Sequence, residues 1–407
     1  MPHDRLDTVL ASEVAALVEA GTSKGPEAVI SAVEPGRGEH GPRVRLAGLE
    51  QSFLRMNSNS YLGLSRHPSV VAAEEAATRA FGAGPGAVRF ISGSYQAHVE
   101  LERRLADFHG RQTAMIFSSA YATVLSTLVT LITPETVVLS DELNHNCIIN
   151  ALRMARPARR EVYPHLDFSA LDAGLEEVSG TARRAIVVTD GVFSMRGDFA
   201  DLTALLEVAR AHDHRFAENV VVVVDDSHGV GAFGVSGRGT EEVSGSGPVD
   251  VLIGTLGKAF GVNGGYVTGS GELITYLREK APMYVYSNPV TVGEAAAAIA
   301  ALAITDSDEG RTLLAHLASL TRRFETGLVE LGLETIPGPH PVVPLMVRDT
   351  ERTSDLVRCL FDNGILATGL NYPVVPKDSE EIRFQVNADH TEADIDFVLE
   401  VLAGFPG

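Results

Sequence analysis

Cysteine is nearly absent: the 407 residues hold two, Cys147 and Cys359, and neither falls in a Cys/His spacing that would hold a metal. A disulfide framework is not expected, and a reducing cytoplasm is the expected setting. Positive charge is also short. Lys and Arg number 33 against 53 Asp and Glu, a formal net charge of −20. That balance argues against general binding to nucleic acid or to anionic membranes, both of which need basic surface, but allows a local basic pocket. No apolar run approaches the roughly 20 residues that span a bilayer. The first ten residues carry Asp4, Arg5 and Asp7 where a secretory leader would have an apolar core. Internal repeats and low-complexity tracts are missing too. What is left is an ordinary globular composition, 45% hydrophobic and 21% charged, on a chain long enough for one large and one smaller domain.

The pattern that is present alternates. Leu10, Val14, Leu17 and Val18 share one side of a helix expected over residues 6–20, which Gly21 would stop. Residues 22–42, rich in Gly, Pro and charge, are expected to be loop, and residues 44–54 a small hairpin. Helices are expected over 69–80 and 98–108. Between them, Gly82-Ala83-Gly84-Pro85-Gly86 lacks the strand-then-helix setting of a dinucleotide fingerprint. Five apolar runs follow, at 114–117, 137–139, 185–189, 220–224 and 251–254, separated by helical or loop stretches. Continuous apolar strands alternating with helices predict an α/β fold with a mainly parallel sheet covered on both faces. An alanine-rich helix over 292–304 leads out of it. Helices at 309–331, 352–363 and 391–402, with strands at 342–347, 365–368 and 381–386, predict a small α+β domain. The expected division is an N-terminal helix and hairpin segment (1–55), a large domain (56–295) and a C-terminal small domain (296–407).

Ligands of such sheets gather at the carboxyl ends of strands, and the chemistry-bearing residues cluster there. Lys258 follows the run Val249–Ile253 within Gly254-Thr255-Leu256-Gly257-Lys258-Ala259-Phe260-Gly261. A solitary lysine is usually a surface residue, but its small neighbours let backbone approach a ligand, and desolvation there lowers an amine's pKa, as a Schiff-base lysine requires. Asp225 ends five valines and is costly to bury unpaired. A cap or a salt bridge would satisfy it, and so would a protonated pyridine nitrogen. Asp226 faces the opposite way if the strand continues. His228 lies just beyond. His145, after another strand, could stack on a flat ring or merely cap a helix. Ser118-Ser119-Ala120-Tyr121 opens a helix whose N–H groups could hold a phosphate or whose serine could simply cap it; Thr255 could add a hydroxyl. This set suits pyridoxal 5′-phosphate held on Lys258.

The motifs resemble those of the α-oxoamine synthase family of pyridoxal phosphate enzymes. They are Asn59-Ser60-Tyr61-Leu62-Gly63-Leu64, Arg89-Phe90-Ile91-Ser92-Gly93, His98 with Leu101-Glu102, Asn144-His145, Asp190-Gly191-Val192-Phe193-Ser194-Met195, Asp225-Asp226-Ser227-His228-Gly229 and Thr255-Leu256-Gly257-Lys258-Ala259, in the family's order. Val88-Arg89-Phe90-Ile91, Thr189–Met195 and Tyr372-Pro373-Val374-Val375-Pro376-Lys377 point within it to the branch that joins glycine to an acetyl thioester. The resemblance implies fold type I, with a mainly parallel seven-stranded sheet, and a homodimer with shared active sites. It implies condensation of an amino acid, glycine in that branch, with an acyl thioester such as acyl-CoA, giving an α-amino ketone or a 2-amino-3-keto acid. It assigns catalytic roles to Lys258, His145, Asp225 and His228. It implies cofactor contacts for Ser119, Ala120, Tyr121, Ser194 and Thr255, with Ser287 acting on the partner subunit's site, and gives the amino-acid carboxylate to Asn59 and Arg383.

Departures cluster away from the cofactor residues. The family's His-Ala-Ser reads His145-Asn146-Cys147, a following Asp-Gly reads Asn150-Ala151, and Met-Asp-Gly-Asp reads Met195-Arg196-Gly197-Asp198. A helix asparagine near the phosphate is Val124, and the glycine-rich segment after Lys258 is one residue shorter than in the nearest branch. They leave open another amino acid, a carrier-protein thioester or a different electrophile in specialised biosynthesis, and a non-catalytic partner subunit of the same fold.

Overall fold

The computed structural model describes residues 3–20, 22–23, 25–372 and 375–405. The stop expected at Gly21, and Pro373-Val374 of the Tyr372–Lys377 motif, lie outside the described residues. In chain order the elements are α1 (Asp4–Glu19), β1 (Ile30–Glu34), β2 (Arg43–Leu46), β3 (Ser52–Arg55), α2 (Pro68–Phe81), α3 (Gln96–Phe108), β4 (Thr113–Phe117), α4 (Ala120–Leu131), β5 (Thr136–Asp141), α5 (Asn146–Ala155), β6 (Arg159–Tyr163), α6 (Phe168–Val178), β7 (Arg184–Asp190) and α7 (Leu202–His212). They continue with β8 (Val220–Asp225), α8 (Thr240–Ser244), β9 (Val251–Thr255), β10 (Gly265–Gly269), α9 (Gly271–Lys280), α10 (Pro282–Val285), α11 (Val292–Thr305), α12 (Asp308–Glu330), β11 (Val342–Met346), α13 (Thr350–Asp362), β12 (Ile365–Leu366), β13 (Thr368–Leu370), β14 (Glu381–Gln385) and α14 (Glu392–Ala403). Two compact units result: Asn59–Ser319 with Gly338–Pro341, and Met1–Ser58 with Leu320–Pro337 and Val342–Gly407.

The larger unit holds a seven-stranded sheet in the order β4-β10-β9-β8-β7-β5-β6. β10 runs antiparallel to both of its neighbours and the other strands are parallel to one another. The valine run is explained by its place. β8 is central, so both of its faces must be apolar. Val223 belongs to the core on one face, with Ile186, Val188, Ile253, Leu128 and Ile148. Val222 and Val224 belong to the core on the other, with Ala185, Val187, Leu171 and Leu205. Each valine so buried contributes about 1.5–3 kcal/mol relative to exposure.

Two strands of this sheet were not expected from the sequence. β6 is an edge strand, Arg-Arg-Glu-Val-Tyr, with too little apolar signal. β10 is five residues with glycine at both ends. Gly265 is required there, because a Cβ would fall 2.4 Å from the backbone N and Cα of Ala120 at the start of α4. The smaller unit holds a sheet β1-β2-β3-β12 and a sheet β11-β14-β13. β1 corrects the expected loop over 22–42: it is an edge strand paired only with β2, its register irregular between Ile30 and Ala32. The single strand expected over 365–368 divides, β12 running parallel to β3 and β13 antiparallel to β14. Among the described residues no helix is long and apolar enough to cross a membrane.

Candidate active site

Side chains alternate along a strand, and that parity builds the site. Val223 and Val188 face the core that holds Ile148 and Cys147 of α5. Two residues further on, Asp225 ends β8 and Asp190 ends β7, directly paired across the parallel strands. Both carboxylates therefore reach the α5 side of the sheet, and both line one pocket with Cys147, His145 and Lys258. Ala120, Tyr121, Val192, Ser194, Ser227 and His228 complete its lining.

Asp226, one residue on, has the opposite parity and a different life. It is fully buried, with Oδ1 accepting from Thr240 Oγ1 at 2.6 Å and Oδ2 from the Thr240 N–H at 2.8 Å. Gly191, Gly229 and Gly239 pack so closely on this carboxylate that a Cβ on any of them would come within 2.3 Å of its oxygens. Burial raises its pKa to about 7 in spite of the Thr240 bonds. Asp225 instead turns Oδ1 to Ser227, accepting from its N–H at 3.1 Å and its hydroxyl at 2.6 Å, and keeps Oδ2 on the Cys147 side.

His145 caps α5, its Nδ1 accepting from the Cys147 N–H at 3.3 Å. The backbone N–H of His145 donates to Asp190 Oδ2 at 3.0 Å, so the end of β7 holds the start of α5. Desolvation lowers the pKa of His145, partly opposed by the Asp225 charge. Asp190 is pushed well above the ordinary carboxylate range, first by burial and then by the Asp225 charge. Its Oδ1 has no hydrogen-bond partner among the described residues.

His228 is buried, its Nδ1 2.8 Å from the Tyr61 hydroxyl, which also lies 3.2 Å from Asn59 Oδ1. His340 Nε2 donates to the His228 carbonyl at 3.0 Å, and burial lowers the His340 pKa to about 4. Lys258 sits in the connection between β9 and β10. Bonds from Leu256 N to Gly264 O and from Gly261 N to Lys258 O hold that connection. Gly261 has φ 70°, and a Cβ on it would fall 2.4 Å from the Ser65 nitrogen. Thr255 Oγ1 accepts from Gly257 N at 3.1 Å and donates to Gly264 O at 3.3 Å within the same connection.

Of the residues singled out from sequence, Ala120, Tyr121, His145, Ser194, Asp225, His228 and Lys258 come together around this pocket. Asn59 reaches His228 through Tyr61. Ser119 is the N-cap of α4, accepting from Ala122 N at 3.1 Å, and like Thr255 and Ser287 it is not part of the pocket lining. Ser287 lies between α10 and α11. Arg383 lies on β14 of the smaller unit, paired with Pro344 and Thr368. Sequence reasoning gave no role to Asp190, Ser227 or Cys147. Asp190 follows Val188 on the same side of β7, and it joins the site because β7 pairs with β8.

The chain matches the family described as aminotransferase class I and II over residues 51–402. It is 37% identical over 401 residues to the mitochondrial 2-amino-3-ketobutyrate coenzyme A ligase of Homo sapiens, covering 97% of this chain and 91% of that one. It is 41% identical over 356 residues to the 8-amino-7-oxononanoate synthase of Marinobacter nauticus, covering 87% of each. Among solved structures, serine palmitoyltransferase of Sphingomonas wittichii superposes with a TM-score of 0.87 at 25% identity, covering 99% of this chain and 98% of that one. A high-resolution structure of SPT described as carrying its PLP internal aldimine superposes with a TM-score of 0.85, also at 25% identity, over 98% of this chain and 97% of that one.

Proposed function

This chain belongs to the aminotransferase class I and II family, in its α-oxoamine synthase branch, and on that premise we propose that it condenses an amino acid with an acyl thioester, using pyridoxal 5′-phosphate. The observation that carries the reading is the meeting of Lys258, Asp225, His228 and His145 at one pocket. Its lining suits a cofactor of divided charge. Carboxylates end β7 and β8 for a protonated ring nitrogen, and the first turn of α4 offers N–H groups without intrahelical partners for a phosphate. When bound, the cofactor supplies an electron sink for charge developing at the amino-acid α-carbon.

The chain's own residues then divide the work. Lys258 Nζ would hold the cofactor, and its amine would take the α-proton. Asp225, steadied by Ser227, keeps the ring nitrogen protonated. His145, which lines the pocket, would cover the ring. His228, held by Tyr61, and Ser194 serve the cofactor's 3′-oxygen. Ala120 and Tyr121 N–H groups, Ser119 and Thr255 serve the phosphate, with Ser287 of the partner subunit. Asn59 and Arg383 take the amino-acid carboxylate, to which a guanidinium fork is matched.

A homodimer is part of this reading. Phe90 and Ile91 are each 67% exposed and Tyr286, beside Ser287, is 82% exposed, the kind of apolar surface an interface covers. The scarcity of cysteine supports a cytoplasmic location. Glycine and acyl-CoA are the substrates the sequence favours. A second reading, a different amino acid or thioester carrier, is favoured by one observation. Tyr121 of the lining bonds Asn146 at 3.0 Å and Asn150 at 2.7 Å, an amide cluster at two of the positions that depart from the family's pattern. Thiol release and product mass from glycine, serine, alanine and threonine, each offered with a panel of acyl thioesters, test both. Release with glycine and acyl-CoA supports the first, release only with another pair supports the second, and no release with any pair rejects both.

A further inference from the structure

Loops leave the carboxyl ends of β5, β6 and β7, and two of the three carry pocket residues. The loop after β5 brings His145 and the loop after β7 brings Val192 and Ser194. Among the described residues, β6 and the loop after it add nothing to the lining. That loop instead holds His165, mostly buried, with a carboxylate at each ring nitrogen. Nδ1 lies 3.1 Å from Asp141 Oδ1 and Nε2 lies 3.2 Å from Asp198 Oδ2. Each carboxylate belongs to a residue that organises one pocket loop. Asp141 Oδ1 also accepts from the Leu143 N–H at 2.9 Å, and the Asp141 carbonyl accepts from the Asn144 N–H at 3.3 Å, on the approach to His145. The Asp198 carbonyl accepts from the Phe193 N–H at 2.9 Å, which closes the loop that carries Ser194. Arg196, where the chain departs from the family's motif, donates to the same Asp198 Oδ2 at 2.7 Å.

We propose that His165 is a positioning residue, whose imidazolium clasps Asp141 and Asp198 and so holds the His145 and Ser194 loops in fixed register beside the pocket. The part those two residues play toward a cofactor rests on the pyridoxal phosphate reading above; the clasp itself does not. The clasp needs the charge. Both partners are carboxylates that only accept, and a neutral imidazole has one N–H to give. The charged groups around the ring are Asp141 and Glu142 after β5, with Glu142 Oε1 accepting from the His165 N–H at 2.9 Å, and Asp198 and Arg196 after β7. Tyr163 and Asp167 flank it on its own segment. Burial opposes the charge, but the Asp141 and Asp198 carboxylates outweigh it and keep the ring protonated up to about pH 9.

Millisecond hydrogen exchange on the full chain without cofactor tests the clasp, and pyridoxal phosphate binding tests its consequence. At pH 7, His165→Gln is expected to cost the Leu143, Asn144, Phe193 and Gly197 amides about tenfold in protection, beyond any loss shared by α7 and β8. The parent should show the same loss at the same amides between pH 7 and pH 10, after correction for intrinsic rates, and this arm needs no variant. Asp198→Asn should cost the Phe193 and Gly197 amides about tenfold in the parent and much less in the His165→Gln background, where the tie is already gone. Pyridoxal phosphate binding, read by visible absorption, should weaken about threefold to tenfold in His165→Gln at pH 7 and differ little from the parent at pH 10. Losses spread evenly over the chain, or independent of pH, would make His165 a packing residue and overturn the proposal. So would losses from His165→Gln and Asp198→Asn that simply add. If the parent takes up no pyridoxal phosphate while both loops respond as expected, the cofactor reading fails and the clasp stands.

Discussion

Around Glu102 both carboxylate oxygens are answered, whereas beside Asp225 a buried carboxylate oxygen of Asp190 is without a partner among the described residues. Glu102 Oε1 accepts from Arg89 Nη1 and from the Ile116 N–H, both at 3.1 Å, and Oε2 from Arg89 Nη2 at 3.2 Å and Arg278 Nη2 at 2.8 Å. Arg89 Nε is bonded to Ser94 and Arg278 to the Tyr284 hydroxyl. At the strand ends, the buried Asp190 Oδ1 has no hydrogen-bond partner among the described residues, and Asp225 Oδ2 lies 3.6 Å from the Cys147 thiol. Both clusters are buried in the larger unit. The first is satisfied within the chain, which suits a structural brace. The second is left incomplete, which suits a site that a ligand completes.

The sharpest way to break that comparison is to remove one group from each cluster. Lys258→Ala should lower the condensation rate by about 10³-fold or more, since it removes both the cofactor's anchor and the base. The melting temperature without cofactor should stay close to that of the parent. Thiol release per folded molecule and a thermal scan measure the two effects. Glu102→Ala should do the reverse. It leaves Arg89 buried and Arg278 half-buried without their carboxylate, a loss of about 3 kcal/mol in denaturant unfolding, while the molecules that remain folded keep their cofactor absorption. A stable Glu102→Ala protein would mean that the brace is not structural.

The two clusters were not equally legible. Lys258, Asp225 and His228 announce themselves, because a charge at the end of a five-valine strand has few structural uses. Parity says before any coordinates that Asp225 and Asp226 face opposite ways, and the sequence reading prefers Asp225 for its place three residues before His228. Asp190 was hidden in plain view. Its carboxylate matters only because β7 lies beside β8, and strand order is a tertiary fact that local pattern does not carry. Glu102 reads as an ordinary helix acid until Arg278, 176 positions later, is folded against it. β6 and β10 were missed for the same reason, since neighbours rather than side-chain pattern make them strands. β1 was missed because an exposed edge needs no apolar face.

An intermediate case refines the contrast. His165 is paired at both ring nitrogens, with Asp141 at 3.1 Å and Asp198 at 3.2 Å, and Arg196 also holds Asp198 at 2.7 Å. Burial alone would lower its pKa, but the two carboxylates win and raise it to about 9. A folded-state pKa above the unfolded one stabilises fully below the ordinary histidine range, near 6.5, and the contribution is lost as pH rises through about 9. His165→Gln should therefore cost about 1–2 kcal/mol at pH 6 and much less at pH 10. Unfolding free energies of parent and variant at the two pH values measure it. A cost independent of pH would mean that packing against Phe193, 4.4 Å away between ring centroids, is what matters.

Tyr61 separates the two kinds of cluster with the smallest change. It is fully buried, like the members of the brace, yet its hydroxyl spends its bonds on Asn59 and His228, which belong to the site. Tyr61→Phe keeps the ring that packs edge-on against His340 and removes only the oxygen. If the hydroxyl serves to hold His228, kcat/KM should fall about fivefold to tenfold, about 1 kcal/mol of lost positioning, and the unfolding free energy should change by less than that. The opposite outcome, stability reduced with kcat/KM intact, would move Tyr61 to the side of Glu102. His228 would then be held by its own backbone bond to His340, and the incomplete cluster would shrink to the ends of β7 and β8 and the thiol beside them.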